Sequence, residues 1–138
     1  MRHEPRWVTK EGLVVLHDRS IALHGGAAGL RDEGLLESAL ARPANLFHYE
    51  GVDDACALAA SYLVAVASNH PFADGNKHAA YLAMGLFLMK NGRRLTAEPA
   101  EAALMVLSVA GGEREVEALA AWIRARSIPS PPPAPGAA

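Results

Sequence analysis

At 138 residues the chain is close to the commonest domain size, so it has room for one hydrophobic core and for no second domain of ordinary size. Hydrophobic residues make up 51% and charged residues 20%, a balance that excludes a wholly disordered chain. The formal net charge is −2, so no global positive field draws the chain to nucleic acid or anionic lipid, and neither is assigned as a partner.

The first predicted helix runs from Thr9, which can cap it, to about Leu23, with Leu13, Leu16, Ser20 and Leu23 recurring at helical spacing. His17 and His24 read as structural histidines on and at the end of this helix, bonding backbone groups. The glycine-rich stretch His24-Gly25-Gly26-Ala27-Ala28-Gly29 stops it. Asp32 then caps a short helix carrying Leu35, Leu36, Ala39 and Leu40, expected to end before Pro43, while Arg31 and Asp32 read as capping and ion pairing. Asp53 and Asp54 start a third helix, Ala55 to about Ser68, that is apolar nearly all round and therefore central. Its one cysteine, Cys56, sits among Ala55, Ala57 and Leu58 and reads as a buried thiol in a reducing compartment. A fourth helix runs from Asn76 to about Lys90 and closes at Asn91-Gly92. Two more are expected, from Pro99 to Val109 and from Glu113 to about Arg126. Arg94 to Thr96 is the single candidate strand, and Arg93 and Arg94 read as a solvated turn. Residues 127–138 hold five of the nine prolines and are expected to be a disordered tail. No signal-peptide pattern and no run of about 18 apolar residues is present, which makes a cytoplasmic location without membrane contact the expectation.

Between the two most apolar helices lies a polar decapeptide, Asn69-His70-Pro71-Phe72-Ala73-Asp74-Gly75-Asn76-Lys77-His78. Pro71 and Gly75 prevent one continuous helix and predict a tight loop at the N-terminus of the fourth. Free amides and the helix dipole at Gly75, Asn76 and Lys77 favour an anion, and Lys77 adds a full charge. His70 is a general base suited to neutral pH, and Asp74 a hard oxygen ligand for magnesium. Phe72 reads as the apolar anchor of the loop. Two other readings stay open on these residues alone: a loop in which Asp74 or Asn76 merely caps the helix, and a transition-metal site of His70, Asp74 and His78 at i, i+4, i+8.

The run His70-Pro71-Phe72-Ala73-Asp74-Gly75-Asn76-Lys77 resembles the signature loop of Fic-domain proteins, and more closely that of their Doc (death-on-curing) toxin branch. The flanks His17-Asp18, His24-Gly25-Gly26, Gly29-Leu30-Arg31-Asp32, Leu35-Leu36-Glu37-Ser38-Ala39, Arg42-Pro43 and Asn91-Gly92 resemble Doc-type sequences in the same order. The resemblance implies an all-α, compact bundle of six to seven helices over residues 1–126, with the signature loop between two central helices. It implies His70 as the base that deprotonates a target hydroxyl, Asp74 as the holder of Mg2+ bound to nucleotide phosphates, and Gly75, Asn76, Lys77 and His78 as phosphate ligands. Lys77, where many Fic enzymes have glycine, is the Doc-like state, which implies transfer of the terminal phosphate of ATP to a Ser/Thr hydroxyl rather than transfer of AMP or another nucleotide monophosphate. The target class so implied is elongation factor Tu. No Ser/Thr-x-x-x-Glu-Gly/Asn inhibitory pattern is found, since Leu13 follows Thr9 and Arg42 follows Ser38, so the implied inhibitor is a Phd-like antitoxin acting in trans.

One position departs from the pattern: the family continues with arginine and this chain has His78. Arginine offers a permanent charge and a two-pronged donor set, histidine neither at pH 7. Losing one charged phosphate contact costs roughly 2–4 kcal/mol of transition-state stabilisation, or about 30- to 1000-fold in rate. An attenuated enzyme and a catalytically inactive binding protein are therefore both compatible with the sequence.

Overall fold

Side-chain caps set where the first three helices begin. In the computed structural model, which describes residues 3–110 and 115–132, helix α1 (Lys10–His24) starts at Thr9, whose hydroxyl accepts from the Gly12 amide. Helix α2 (Glu33–Glu50) starts at Asp32, which accepts from Leu35 N, and α3 (Ala55–Asn69) at Asp54, which accepts from Cys56 N. Each cap satisfies an amide that the helix leaves unpaired and contributes about 1 kcal/mol. Helix α4 (Asn76–Lys90), strand β1 (Arg93–Leu95), helices α5 (Pro99–Ala110) and α6 (Val116–Ala125) and strand β2 (Ser127–Pro129) complete the described elements. The protein is all-α apart from the β1–β2 ribbon.

Helix α3 lies in the middle because its sequence leaves no polar face to solvent. It packs most extensively on α4, α2 and α6, and Leu58, Ala59, Tyr62, Leu63 and Val66 are fully buried. Ala79, Ala80 and Ala83 on α4 are also fully buried, and their small side chains let the two backbones approach. The buried Tyr62 hydroxyl accepts from Val8 N at 3.0 Å and so ties the segment before α1 to the central helix; burial pushes this phenol up to about 12. Trp7, on the same segment, stacks on Phe87 of α4 at 5.9 Å and meets Phe47 of α2 edge-on at 5.8 Å. Cys56 is a buried free thiol whose pKa is raised, chiefly by burial.

Helix α2 does not end before Pro43. It runs through that residue to Glu50, because Leu36, Ala39, Pro43 and Phe47 form one buried stripe on the core. Proline removes one helical hydrogen bond and crowds the carbonyl four residues back, at about 3 kcal/mol, and the burial of this stripe offsets it.

The other corrections concern the C-terminal part. Helix α6 begins at Val116; Glu113 and Arg114, placed in this helix by its periodicity, lie outside the described residues. The candidate strand sits one residue earlier, at Arg93–Leu95, and its antiparallel partner is Ser127–Pro129. The first residues of the proline-rich stretch are thus part of the fold, and the boundary at 126 falls within paired structure; residues 133–138 of that stretch lie outside the described residues. Arg93 is no solvated turn residue, since its guanidinium donates to both the carbonyl and the hydroxyl of Ser127. Proline at 129 is tolerated because a two-stranded ribbon has only edge strands. Among the described residues no helix is long and apolar enough to cross a membrane.

Tyr62→Phe leaves the Val8 amide without its acceptor. The expected loss is about 1–3 kcal/mol, measured as a lower urea midpoint at unchanged m-value; an unchanged midpoint would show that this bond does not hold the N-terminal segment.

Candidate active site

The polar decapeptide is a loop held from below by one aromatic side chain. Phe72 is 1% exposed and stacks on the buried His17 ring, with centroids 3.8 Å apart and planes inclined by 18°. The Asn76 side chain closes the loop on itself: its carbonyl accepts from Phe72 N at 2.9 Å and its amide donates to Phe72 O at 3.0 Å. His17 Nε2 lies 2.7 Å from the Asp74 carbonyl. A carbonyl only accepts, so this nitrogen carries the hydrogen, and Nδ1 is left buried without a hydrogen-bond partner.

The stem of the loop is strained and clamped. Pro71 disfavours helical geometry for the residue before it, and His70 takes left-handed geometry with φ 49° as the C-cap of α3. Arg31 spans this turn, donating from Nε to His70 O at 2.9 Å and from Nη2 to Asn69 O at 3.2 Å. The backbone of the same segment latches on as well: Pro71 O accepts from Arg31 N and Asp32 N, Ala73 N donates to Gly29 O, and Leu30 pairs with Phe72 as an isolated antiparallel bridge. Arg31, read from sequence as an ion-pairing residue, instead binds carbonyls of the loop.

With the loop pinned inside, its chemistry faces out. His70, Asp74, Lys77 and His78 are all exposed. The Asp74 carboxylate accepts from Gly75 N at 2.8 Å through Oδ1 and from Ala27 N at 3.3 Å through Oδ2. Gly26 is required here: a Cβ on it would lie 2.8 Å from Asp74 Oδ2, and its φ of +112° disfavours any other residue. Helix α4 begins at Gly75 with no side-chain cap, unlike α1, α2 and α3, so neither Asp74 nor Asn76 plays the capping role open to it from sequence. Its first amides are free for an anion at the positive end of the helix dipole. The same turn opens on a cavity of about 490 Å3, with Lys77, His78 and Tyr81 on one side and Pro99, Ala102 and Val106 on the other.

The predicted phosphate ligands do not all stand alike. Lys77 is at the uncapped helix terminus, whereas the Gly75 amide is held by Asp74 Oδ1 and both polar side-chain atoms of Asn76 are committed to Phe72. His70, Asp74 and His78 do not come together as a metal cluster; no group of three His, Cys, Asp or Glu side chains that could hold a metal occurs among the described residues. The one exposed carboxylate of the loop, Asp74, is an oxygen ligand that fits Mg2+, which keeps waters and shares its coordination with substrate phosphates, while the α4 amides and Lys77 suit the phosphates themselves. Burial first, then the neighbouring His24 and His17, hold the His78 pKa below its usual 6.5. Its ring stands 6.0 Å from that of His24, edge to face, and stacks on Tyr81 at 6.4 Å.

The Fic/DOC family model matches residues 7–88, a span that holds α1 to α3, the whole loop and most of α4. The chain belongs to the Fic/DOC family. Among its relatives is "Protein kinase doc" of Escherichia phage P1, 36% identical over 124 residues, which cover 90% of this chain and 94% of that protein. Another is "Toxin Doc" of Mycolicibacterium smegmatis, 41% identical over 85 residues, or 61% of this chain and 65% of the relative. The fold of this family member was legible from its loop, but three parts of the site were not: His17 beneath Phe72, Arg31 across the stem, and the α5 wall of the cavity. The available signals were weak, namely a histidine on an apolar helix face and an arginine just before a cap.

Two outcomes follow. Gly26→Ala should lower stability by about 1–3 kcal/mol through backbone strain and the clash with Asp74; in a thermal-melt cycle with Asp74→Ala, the steric part should be recovered and the strain retained. Because folding lowers the His78 pKa, the unfolded chain takes up the proton first as pH falls through 6.5, and stability declines with acidification. His78→Gln should therefore flatten the fall in Tm between about pH 7.5 and about pH 5.5, and an equally steep fall would show that His78 does not contribute.

Proposed function

We propose that this chain is a Doc-like toxin that transfers the terminal phosphoryl group of ATP to a Ser/Thr hydroxyl of a translation protein of the elongation factor Tu class. The observation that supports this reading best is the joining of the uncapped α4 terminus to the 490 Å3 cavity through Lys77 and His78. Anion donors at one end of an apolar space are what a nucleotide requires, phosphates at the amides and base among apolar side chains. The relatives named as a kinase and as a toxin support the same assignment.

On this reading the exposed His70 imidazole accepts the proton of the target hydroxyl while the hydroxyl oxygen bonds to the γ-phosphorus. The bond from that phosphorus to the bridging oxygen breaks and ADP leaves. The α4 amides and Lys77 hold the phosphates, and Asp74 would hold Mg2+ against them. Bound there, the metal would neutralise charge on the transferred group. Arg31 is a positioning residue: it fixes the backbone that aims His70 and never touches the reacting atoms. With its pKa lowered, His78 supplies no permanent charge to this site, so the chain works below the rate an arginine would allow. Inhibition comes from a Phd-like antitoxin acting in trans.

Intact-mass analysis of elongation factor Tu incubated with the chain, ATP and Mg2+ tests this. A gain of one phosphoryl group is expected, lost by about 10²- to 10⁴-fold in rate in His70→Ala and raised by about 30- to 1000-fold in His78→Arg. A gain of one nucleotide would replace the kinase assignment with monophosphate transfer. No modification even by His78→Arg would overturn the kinase reading for this target, leaving either another target or a fold that serves only for binding.

A further inference from the structure

A second cavity, of about 250 Å3, lies between α2 and α3 with Val116 of α6 beside it. Helical spacing puts Ser38 and Arg42 on one face of α2, and Ser61 and Ser68 on one face of α3, so the two helices turn hydroxyls and one guanidinium to the same space. No acidic side chain lines it among the described residues, and Arg42 makes no ion pair there.

Ser61 decides what the cavity is for. It is 2% exposed, and its hydroxyl has no hydrogen-bond partner. A serine inside a helix commonly returns its proton to the carbonyl four residues back, and Ser61 does not. An unpaired buried hydroxyl destabilises a fold, and alanine, which stands at the two positions before it (Ala59 and Ala60) and recurs along α3, would occupy the position without that penalty. A donor kept at this expense beside an unpaired cation calls for an acceptor that carries negative charge.

We propose that this cavity binds a small monocarboxylic acid, its carboxylate accepting from the Ser61 hydroxyl and pairing with Arg42, and its short apolar body lying against Leu46 and Val64. One guanidinium balances one carboxylate and presents it with parallel donors. A phosphate dianion would leave a second charge unmatched in a site with a single cation. The volume is just below the usual range of drug- and cofactor-sized pockets, about 300–1,000 Å3, which suits a ligand of a few heavy atoms, and the cavity shares no lining residue with the one beside Lys77. Asn69 also lines the cavity, its side chain donating to Leu35 O and its carbonyl accepting from Arg31, which places the bound acid against the residue next to His70.

The test is a titration of the ¹⁵N-labelled chain with isobutyrate, with isobutyramide and inorganic phosphate run in parallel at matched ionic strength. Isobutyrate should produce saturable shifts at the Asn69 side-chain amide and at the Ser61 and Ser68 backbone amides. Isobutyramide should produce none. Arg42→Gln, on the exposed rim, should bind about tenfold more weakly. Ser61→Ala should melt no lower than the parent and lose the isobutyrate shifts, separating a lost ligand contact from a lost fold. The proposal is overturned if no saturable shift is seen by ~50 mM, if isobutyramide or phosphate binds as well, or if both variants bind like the parent.

Discussion

The site depends on the burial of Phe72. Without it, the six residues between α3 and α4, His70 to Gly75, would have no large apolar anchor, since a segment that exposes His70 and Asp74 gains little by folding. The phenyl ring supplies that anchor by taking a place in the core over His17. Its two backbone polar groups are then met by Asn76, so the buried segment leaves no unsatisfied amide or carbonyl at that residue. Four constraints (Pro71, Phe72, Gly75 and Asn76) act within six positions, and each removes freedom that the exposed side chains of the loop would otherwise have.

Around this anchor the surrounding elements divide the remaining work. The segment 29–32 lends the loop a strand partner and the Arg31 clamp, the end of α1 brings His17 and the glycine turn at Gly26 against Asp74, and α4 contributes an unsatisfied helix terminus. The left-handed turn at His70 stores strain of order 1–3 kcal/mol, and the two Arg31 bonds to consecutive carbonyls are what hold it. The precision of the loop is therefore bought by contacts far apart in sequence. At His78, partial burial first and then the neighbouring His24 and His17 hold the pKa below its usual 6.5, so the position carries no permanent cation beside the α4 terminus.

The two cavities differ in the same physical terms. The larger one adjoins free backbone amides and an exposed lysine and is otherwise apolar, which suits an extended ligand with a charged end. The smaller one, with an unpaired arginine and a buried hydroxyl, suits a compact monoanion. The larger is lined by Lys77 and His78 at the start of α4, and the smaller by Asn69, the residue before His70.

Most helix positions and the loop were legible in the sequence because they rest on local chemistry. Thr9, Asp32 and Asp54 cap the helices they precede, α3 is apolar all round, and proline and glycine punctuate the loop, all within a few residues of where they act. Tertiary structure alone decided the rest. Helix α2 passes Pro43 because the stripe from Leu36 to Phe47 is buried against a helix that follows it in the chain, and Ser127–Pro129 is ordered because Arg93 and the edge of β1 receive it. Arg31 and His17 become parts of the site only when the chain brings them 39 and 57 residues across sequence to His70 and Asp74. Local rules read propensity and capping, whereas these choices turn on burial and on hydrogen bonds between segments that no short window of sequence contains.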